Sequence, residues 1–485
     1  MRFPLFVNGA YRALSPTADD EQTINWYPEI LKQEAPGAVA EIVLYPTPGI
    51  ETFLTVTETA GGRAAYALNN RCFFVVGSKL VEVFSDGHYE LRGDVGNDGK
   101  PAQMVSSGLG SDQLLVASAG QVYCLDLLTN VLALALTIND AAIAPGPAHY
   151  THVGLSYLFF QAFDVSDSVF RISAGGELLD GMVWDGLDWQ SRSLQGDPWK
   201  AMLVTSYGET WLMGELSSEV WYNNGDPLFP YMPDPSGSIP YGIIAPFSVC
   251  EAADKVVWLA TTADGDRQVV AAQGFTPKRI SDLALEAELD TYLTVEDAEG
   301  ETYREAGHAF YKLTFPTEEK TWVFDFQTEL WHRRGTWITE RDTFDEWQPT
   351  WHCFFDRKHL WCERHSGKIV EVSPEFVHDA DGRPLRRVRV SPTIRSENKR
   401  LVHKRLEVLI EAGLGPVAGP KMMLRASDDG GKTWGNELMQ PMGDIGQTRQ
   451  RLVWEKLGQS VARTYELSCS EAMSVRVIDA FTEVD

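Results

Sequence analysis

The chain has 485 residues, 44% hydrophobic and 11% aromatic, with 15 Trp, which excludes a disordered protein and points to about two to four folded units. Its 42 Lys and Arg stand against 68 Asp and Glu, a formal charge of −26, so the chain as a whole has no electrostatic pull on nucleic acid or anionic lipid. No apolar run reaches signal-peptide or membrane-helix length, and six scattered cysteines make no disulfide framework; the expectation is a protein made in a cytoplasm, without a membrane anchor.

In chain order, residues 1–60 carry the polar and proline-rich stretches SPTADDEQTINWYPE and APGAVAEIVLYPTPG and read as an extended arm laid over a domain or a neighbouring chain. From residue 61 the pattern is all-β. The run RAAYALNNRCFFVVGSKLVEVFSDGHYEL has four apolar segments parted by Asn-Asn, Gly-Ser and Asp-Gly turns, which is a four-stranded meander. Similar meanders start near Gln103, His149, Lys200, Ser248, His308 and Trp351, at spacings of roughly 40–60 residues, the length of a propeller blade. Residues 61–385 are therefore expected to form a β-propeller of about six or seven blades, with two stacked sandwiches as the rival. One helix interrupts them, over Ile280–Thr294, with Ser281 or Asp282 as its N-cap. Beyond HDADGRPL the strands alternate at sandwich spacing, and residues 386–485 are assigned to a C-terminal β-sandwich.

Motifs that would carry chemistry are sparse. Ser427, Asp429, Gly431 and Trp434 fit S-x-D-x-G-x-x-W, an Asp box. Its aspartate can accept from turn amides, its glycine supplies an unusual backbone angle and its tryptophan anchors the hairpin. That is a folding device, not an active site. The hairpin Trp351–His365 places Cys353 opposite Cys362 if its loop is Asp356–His359, with His352, His359 and His365 nearby. The spacing matches no zinc motif, so no metal is expected, while thiols, a disulfide or a bound metal all stay open for the two cysteines. Gly93–Lys100 fails as a phosphate loop because Pro101 stands where the magnesium-binding hydroxyl belongs. G-x-S-x-G and H-E-x-x-H are missing, and neither catalytic residues nor a cofactor are expected. The aromatic run Trp322, Phe324, Phe326, Trp331, Trp337 reads as blade core.

The one basic cluster in this acidic chain is Arg383, Arg386, Arg387, Arg389, Arg395, Lys399, Arg400, Lys404 and Arg405. It reads either as a solvated strand face or as a docking patch for an acidic neighbour, including the propeller of an adjacent identical subunit.

Several stretches together resemble the packaged-DNA stabilisation and tail-hub proteins of podoviruses. These are Tyr11, Ser15 and Gln22-Thr-Ile-Asn-Trp-Tyr-Pro-Glu29 with Thr47-Pro-Gly-Ile50; then EVWYNNGDPLFP from Glu219, GSIPYGIIAPFSV from Gly237 and HAFYKLTFPTEEKTWVFDFQTELWHRRG from His308; and finally SPTIR, ASDDGGKTWG and LGQ in the C-terminal part. The resemblance implies a non-enzymatic virion protein: a ring of about six copies below the head-to-tail adaptor. It would surround the DNA exit channel, let DNA pass without specific binding, and contact a tail fibre, spike or plug. A sialidase-like propeller enzyme and a monomeric peptide-binding propeller scaffold are the competing functions.

Overall fold

The structure is a computed structural model, and it describes residues 2–7, 9, 21–31, 42–58, 60–68, 70–107, 112–135, 137–138, 141–142, 149–174, 183–191, 196–262, 264–397, 399–444 except 415–418, and 446–485. Seven sheets form a propeller. Six blades are built from consecutive stretches, beginning with the strands Gly62–Leu68, Gln103–Ser106, Tyr150–Ser156, Trp199–Val204, Gly242–Ile243 and Glu299–Glu305. The seventh has Pro349–Phe355, Lys358–Glu363 and Lys368–Ser373, and takes its outer strand, Gly49–Thr55, from near the N-terminus. Pairing of Val372 with Ile50 and of Lys368 with Thr55 closes the circle.

Each gap between neighbouring blades is filled by its own apolar cluster. Phe74 and Val81 meet Leu360 and Ile369 between the seventh blade and the first, and Phe73 and Val75 meet Leu114 and Val116 between the first and the second. The same strand, Arg71–Val76, thus buries both faces, which is why it reads as a continuous apolar run rather than an alternation. Adjacent blades approach so closely that some positions admit no side chain. A Cβ on Gly62 would lie 1.9 Å from the Cβ of Cys362 on the seventh blade, well inside contact distance. A register shift near the start of the inner strand recurs in four blades, at Gly62/Ala64, Tyr150/His152, Trp199/Ala201 and Thr350/His352, a structural repeat that sequence identity does not display.

The helix is shorter than Ile280–Thr294: it runs Leu283–Leu289, capped by the Asp282 carboxylate, which accepts from the Leu285 amide at 2.8 Å. Only Leu285 and Leu289, one turn apart, are buried within it. Beyond it the Glu318 carboxylate accepts from the amides of Leu293 and Thr294, so the backbone there is satisfied without helix.

The N-terminal sixty residues do not form an arm laid over the surface where they are described. Arg2–Pro4 pairs with the C-terminal strand Ser474–Val484, Trp26–Ile30 and Ile42–Pro46 join the same sandwich sheet, and Gly49–Thr55 is propeller. Tyr11 and Ser15 lie outside the described residues. Gln22–Ile24 is inserted between the outer strand of the sixth blade and the sandwich strand Arg387–Val390, parallel to the former through Ile24 and Arg333 and antiparallel to the latter. The result is one ten-stranded sheet running from propeller into sandwich. The segment is apolar enough for this: Trp26 is buried in the sandwich core beside Leu44, Val408 and Val477, while Tyr27 is buried among Phe310, Trp347 and Trp361 of the propeller. Buried side chains of this size are core, and a polar arm has none.

Candidate functional site

The segment from Gln22 to Tyr27 meets both domains, and its polar groups organise the junction. Between the two strands Asn25 adopts φ of 58°, a left-handed turn that asparagine tolerates better than most residues. Its side-chain amide donates to the carbonyls of Gly335 and Arg386, both at 2.8 Å, and its side-chain oxygen accepts from the Gly335 amide at 3.1 Å. Propeller, sandwich and N-terminal segment are thereby held by one buried side chain. The Trp26 indole donates to Val475 O at 3.0 Å.

The basic cluster splits at this junction. Arg389 is fully buried: its guanidinium donates to the carbonyls of Phe6, Gln22 and Gly9 and pairs with Glu21 at 3.0 Å. Arg387 is buried as well, donating to the carbonyls of Leu385 and Met473, and burial lowers its pKa. Arg386 lies over the Trp337 ring at 4.5 Å, with Glu437 and Glu466 at 3.6 and 3.9 Å. These three arginines are interior, not part of a docking patch, because the sheet built on Arg387–Val390 is covered on both faces. Arg383 is half-buried and donates to Ala380 O. Arg395, Lys399, Arg400 and Lys404 are exposed on the sandwich, with Lys399 paired to Glu397, Lys404 to Asp485, and the half-buried Arg405 to Glu407 and Glu483.

A cleft of about 750 Å³ lies at the same junction, lined by Tyr27, Glu29, Tyr45, Glu305, His308 and Arg476 among others. In it the His308 ring bridges two carboxylates, Glu29 at 2.5 Å and Asp325 at 2.8 Å. Burial raises the Glu305 carboxyl against the opposing pull of Arg334 and His308. Arg476 is paired to Glu411 at 2.8 Å and lies over Tyr45. Glu29 and Asp325 are both tied to one imidazole, so the arrangement latches the N-terminal strand to the sixth blade. No group of His, Cys, Asp and Glu among the described residues is arranged to hold a metal.

The Asp box is a hairpin turn with the expected local bonds. Asp429 accepts from the Thr433 amide at 2.9 Å and its hydroxyl at 2.6 Å, and the Ser427 hydroxyl accepts from the Gly431 amide at 2.9 Å. Those bonds pull the Asp429 carboxyl down to about 2. Gly431 sits at φ of 82°. Trp434 is half-buried under Arg425, at 5.0 Å, and packs against the small cluster of Ile24, Val388 and Val390.

In the hairpin around residue 356 the loop is two residues, Asp356 and Arg357, both at positive φ, the geometry of a tight primed turn. Phe355 therefore pairs with Lys358 and Cys353 with Leu360, two places away from the pairing expected for a four-residue loop. Cys353 and Cys362 are free thiols in the apolar cluster between blades. His352 and His359 are in hydrogen-bond contact at 2.9 Å, and burial pushes His352 down to about 3. Of the aromatic run, Trp322, Phe324, Phe326 and Trp331 pack in or against the cluster between the fifth and sixth blades, while Trp337 meets Phe344 edge to face at the junction.

The chain is a β-propeller continuous with a β-sandwich, and comparison with known proteins shows the family in which that pair of domains falls. The family model described as bacteriophage P22 Gp10, beta-propeller, matches residues 1–376, and that described as bacteriophage P22 Gp10, beta-sandwich, matches residues 386–485. The chain belongs to the bacteriophage P22 Gp10 family, a podovirus packaged-DNA stabilisation and tail protein family. No curated protein sequence matches it. Solved structures it is similar to include streptogramin B lyase (10% identity, TM-score 0.39, 67% of this chain and 98% of that one) and YCF48 from Cyanidioschyzon merolae (10%, 0.38, 66% and 98%). Another is an exo-β-1,3-galactanase from Phanerochaete chrysosporium (7%, 0.28, 88% and 100%). Likenesses this distant say nothing about activity.

Proposed function

We propose that the protein is a subunit of the tail hub or nozzle ring of a short-tailed phage. About six copies sit below the head-to-tail adaptor, surround the DNA exit channel, stabilise the packaged DNA and carry a fibre, spike or plug. The observation that carries this reading is the family match over both domains, residues 1–376 and 386–485. Charge supports it. A subunit at −26 presents DNA with a surface that repels phosphate, which suits passage rather than binding. The same charge opposes ring closure, since like charges are screened only over roughly 8–10 Å at physiological salt, so assembly on a preformed adaptor ring in the host cytoplasm is favoured over spontaneous closure.

The exposed residues Arg395, Lys399 and Arg400 take over the docking role that the buried arginines cannot serve. No catalytic role is assigned to any residue, and no cofactor is needed. Imaging of purified protein mixed with adaptor rings tests the reading: rings with an axial hole, and no retention of double-stranded DNA at physiological salt, are expected. Charge reversal at Arg395, Lys399 and Arg400 should lower incorporation more than reversal of three scattered exposed basic residues. A monomer that releases sugar from a polysaccharide, or tight salt-sensitive DNA binding, overturns it.

A further inference from the structure

Three of the six cysteines meet at one place. Cys72 comes from the first blade, Cys353 and Cys362 from the seventh, and all three are buried in the apolar cluster that fills the gap between those blades. The Sγ atoms of Cys72 and Cys353 are 3.1 Å apart across 281 residues of sequence, and Cys362 Sγ lies 3.9 Å from Ala64 O. The place matters because the circle of blades has its ends here: the inner three strands of the seventh blade come from the far end of the propeller sequence, and its outer strand leads directly into the first blade. Hydrogen bonds, apolar contact and the Lys358 ammonium over the Phe53 ring at 5.2 Å join those ends without a covalent link.

We propose that Cys72 and Cys353 are an oxidisable pair whose disulfide closes the propeller covalently once the protein meets peroxide. Cys353 is 6% exposed and Cys72 not at all, so the oxidant reaches Cys353 first. Hydrogen peroxide takes two electrons from the Cys353 thiol, giving a sulfenic acid and water. The Cys72 sulfur then displaces the hydroxyl, which leaves as a second water with the Cys72 proton, and the S–S bond forms. One peroxide is reduced and two thiols are oxidised. The contact with the Cys353 thiol, and burial, push Cys72 up, and burial pushes Cys362 up, so these two thiols stay protonated, and the seam must open to admit the oxidant. The bond would enclose nearly the whole propeller in a loop, the case in which a cross-link most restricts the unfolded chain.

The experiment uses the full chain, treated with a small excess of hydrogen peroxide, alkylated, and digested without reductant. The expected results are the loss of two alkylatable thiols, a mass about 2 Da lower before alkylation, and a peptide pair joining Cys72 to Cys353. The thermal midpoint should rise by several degrees and fall back with dithiothreitol. Cys362→Ala should keep the cross-link, and Cys353→Ala should abolish it. The peptide map of the unsubstituted protein decides the matter whether or not the variants fold. Six alkylatable thiols after unfolding, a sulfinic acid at Cys353, or a Cys72–Cys362 link each overturns the proposal.

Discussion

The molecule is joined to itself at two places by opposite means. At the closure seam between the seventh and first blades the contact is apolar and tight: Cys72, Phe74 and Val81 against Cys353, Leu360 and Ile369, with Gly62 admitting no side chain. At the junction between the sixth blade and the sandwich it is polar and buried: Arg389 on Glu21 and three carbonyls, Asn25 between Gly335 and Arg386, His308 between Glu29 and Asp325. An apolar seam tolerates chemistry but not volume. A buried polar junction tolerates some change of volume but not the loss of a partner, because the group left behind is desolvated and unpaired.

That contrast is tested most severely at Arg389. Replacement by Ala removes the guanidinium from the Glu21 carboxylate and from the carbonyls of Phe6, Gln22 and Gly9, and should cost about 3–5 kcal/mol, read as a lower denaturant midpoint. A loss below about 1 kcal/mol would mean that water enters the junction and replaces the guanidinium. At the other seam, Gly62→Ala pushes a methyl onto Cys362 and should cost the upper part of about 1–3 kcal/mol, with Gly62→Val worse; equal stability of all three would show that the blades can slide apart.

Acid should loosen the junction next. Burial, with Arg334 and His308 adding to it, holds His332 down at about 3 against an ordinary 6.5. The unfolded chain therefore binds this proton more readily than the folded one, so the stability His332 contributes is complete above about pH 6.5 and is lost as pH falls towards 3. At pH 5 the loss from this one group is about 2 kcal/mol. His152, His352 and His403, held at about 4, 3 and 4 by burial first, act in the same direction. Asp379, pushed up to about 6 by burial, acts in the opposite one, gaining as pH falls. The thermal midpoint should thus drop between about pH 7 and 5, and His332→Gln should flatten that drop; an unchanged slope would place the acid sensitivity elsewhere.

The smallest effect belongs to the Asp box. Asp429→Ala removes bonds at an exposed turn and should lower the melting temperature slightly while leaving the secondary structure unchanged by circular dichroism. A large loss would mean that Trp434 depends on this turn to brace Ile24 and Val388.

The all-β class, the blades and the turns were legible because they depend on local pattern: a strand buried on both faces must be apolar throughout, as CFFVV from Cys72 is, and a hairpin must turn at residues such as Asn, Asp and Gly. Six of the seven blades are consecutive in sequence for the same reason. The partnership of distant segments was not legible. Nothing in Gly49–Thr55 states that it completes a blade whose other strands begin at Pro349, and nothing in RRVRV distinguishes arginines that face water from arginines that face Gln22 O and Phe6 O. The sign of a charge is a property of the residue, whereas its burial depends on which strands cover it. The QTINWYP segment carried the one available signal, since Ile24 and the adjacent aromatics Trp26 and Tyr27 would be wasted in solvent if the stretch were an arm. Residue chemistry by itself determined which elements form. Only the tertiary structure decided which of them meet, because the energy that joins Asn25 to Gly335 and Arg386, or Cys72 to Cys353, arises between groups hundreds of residues apart.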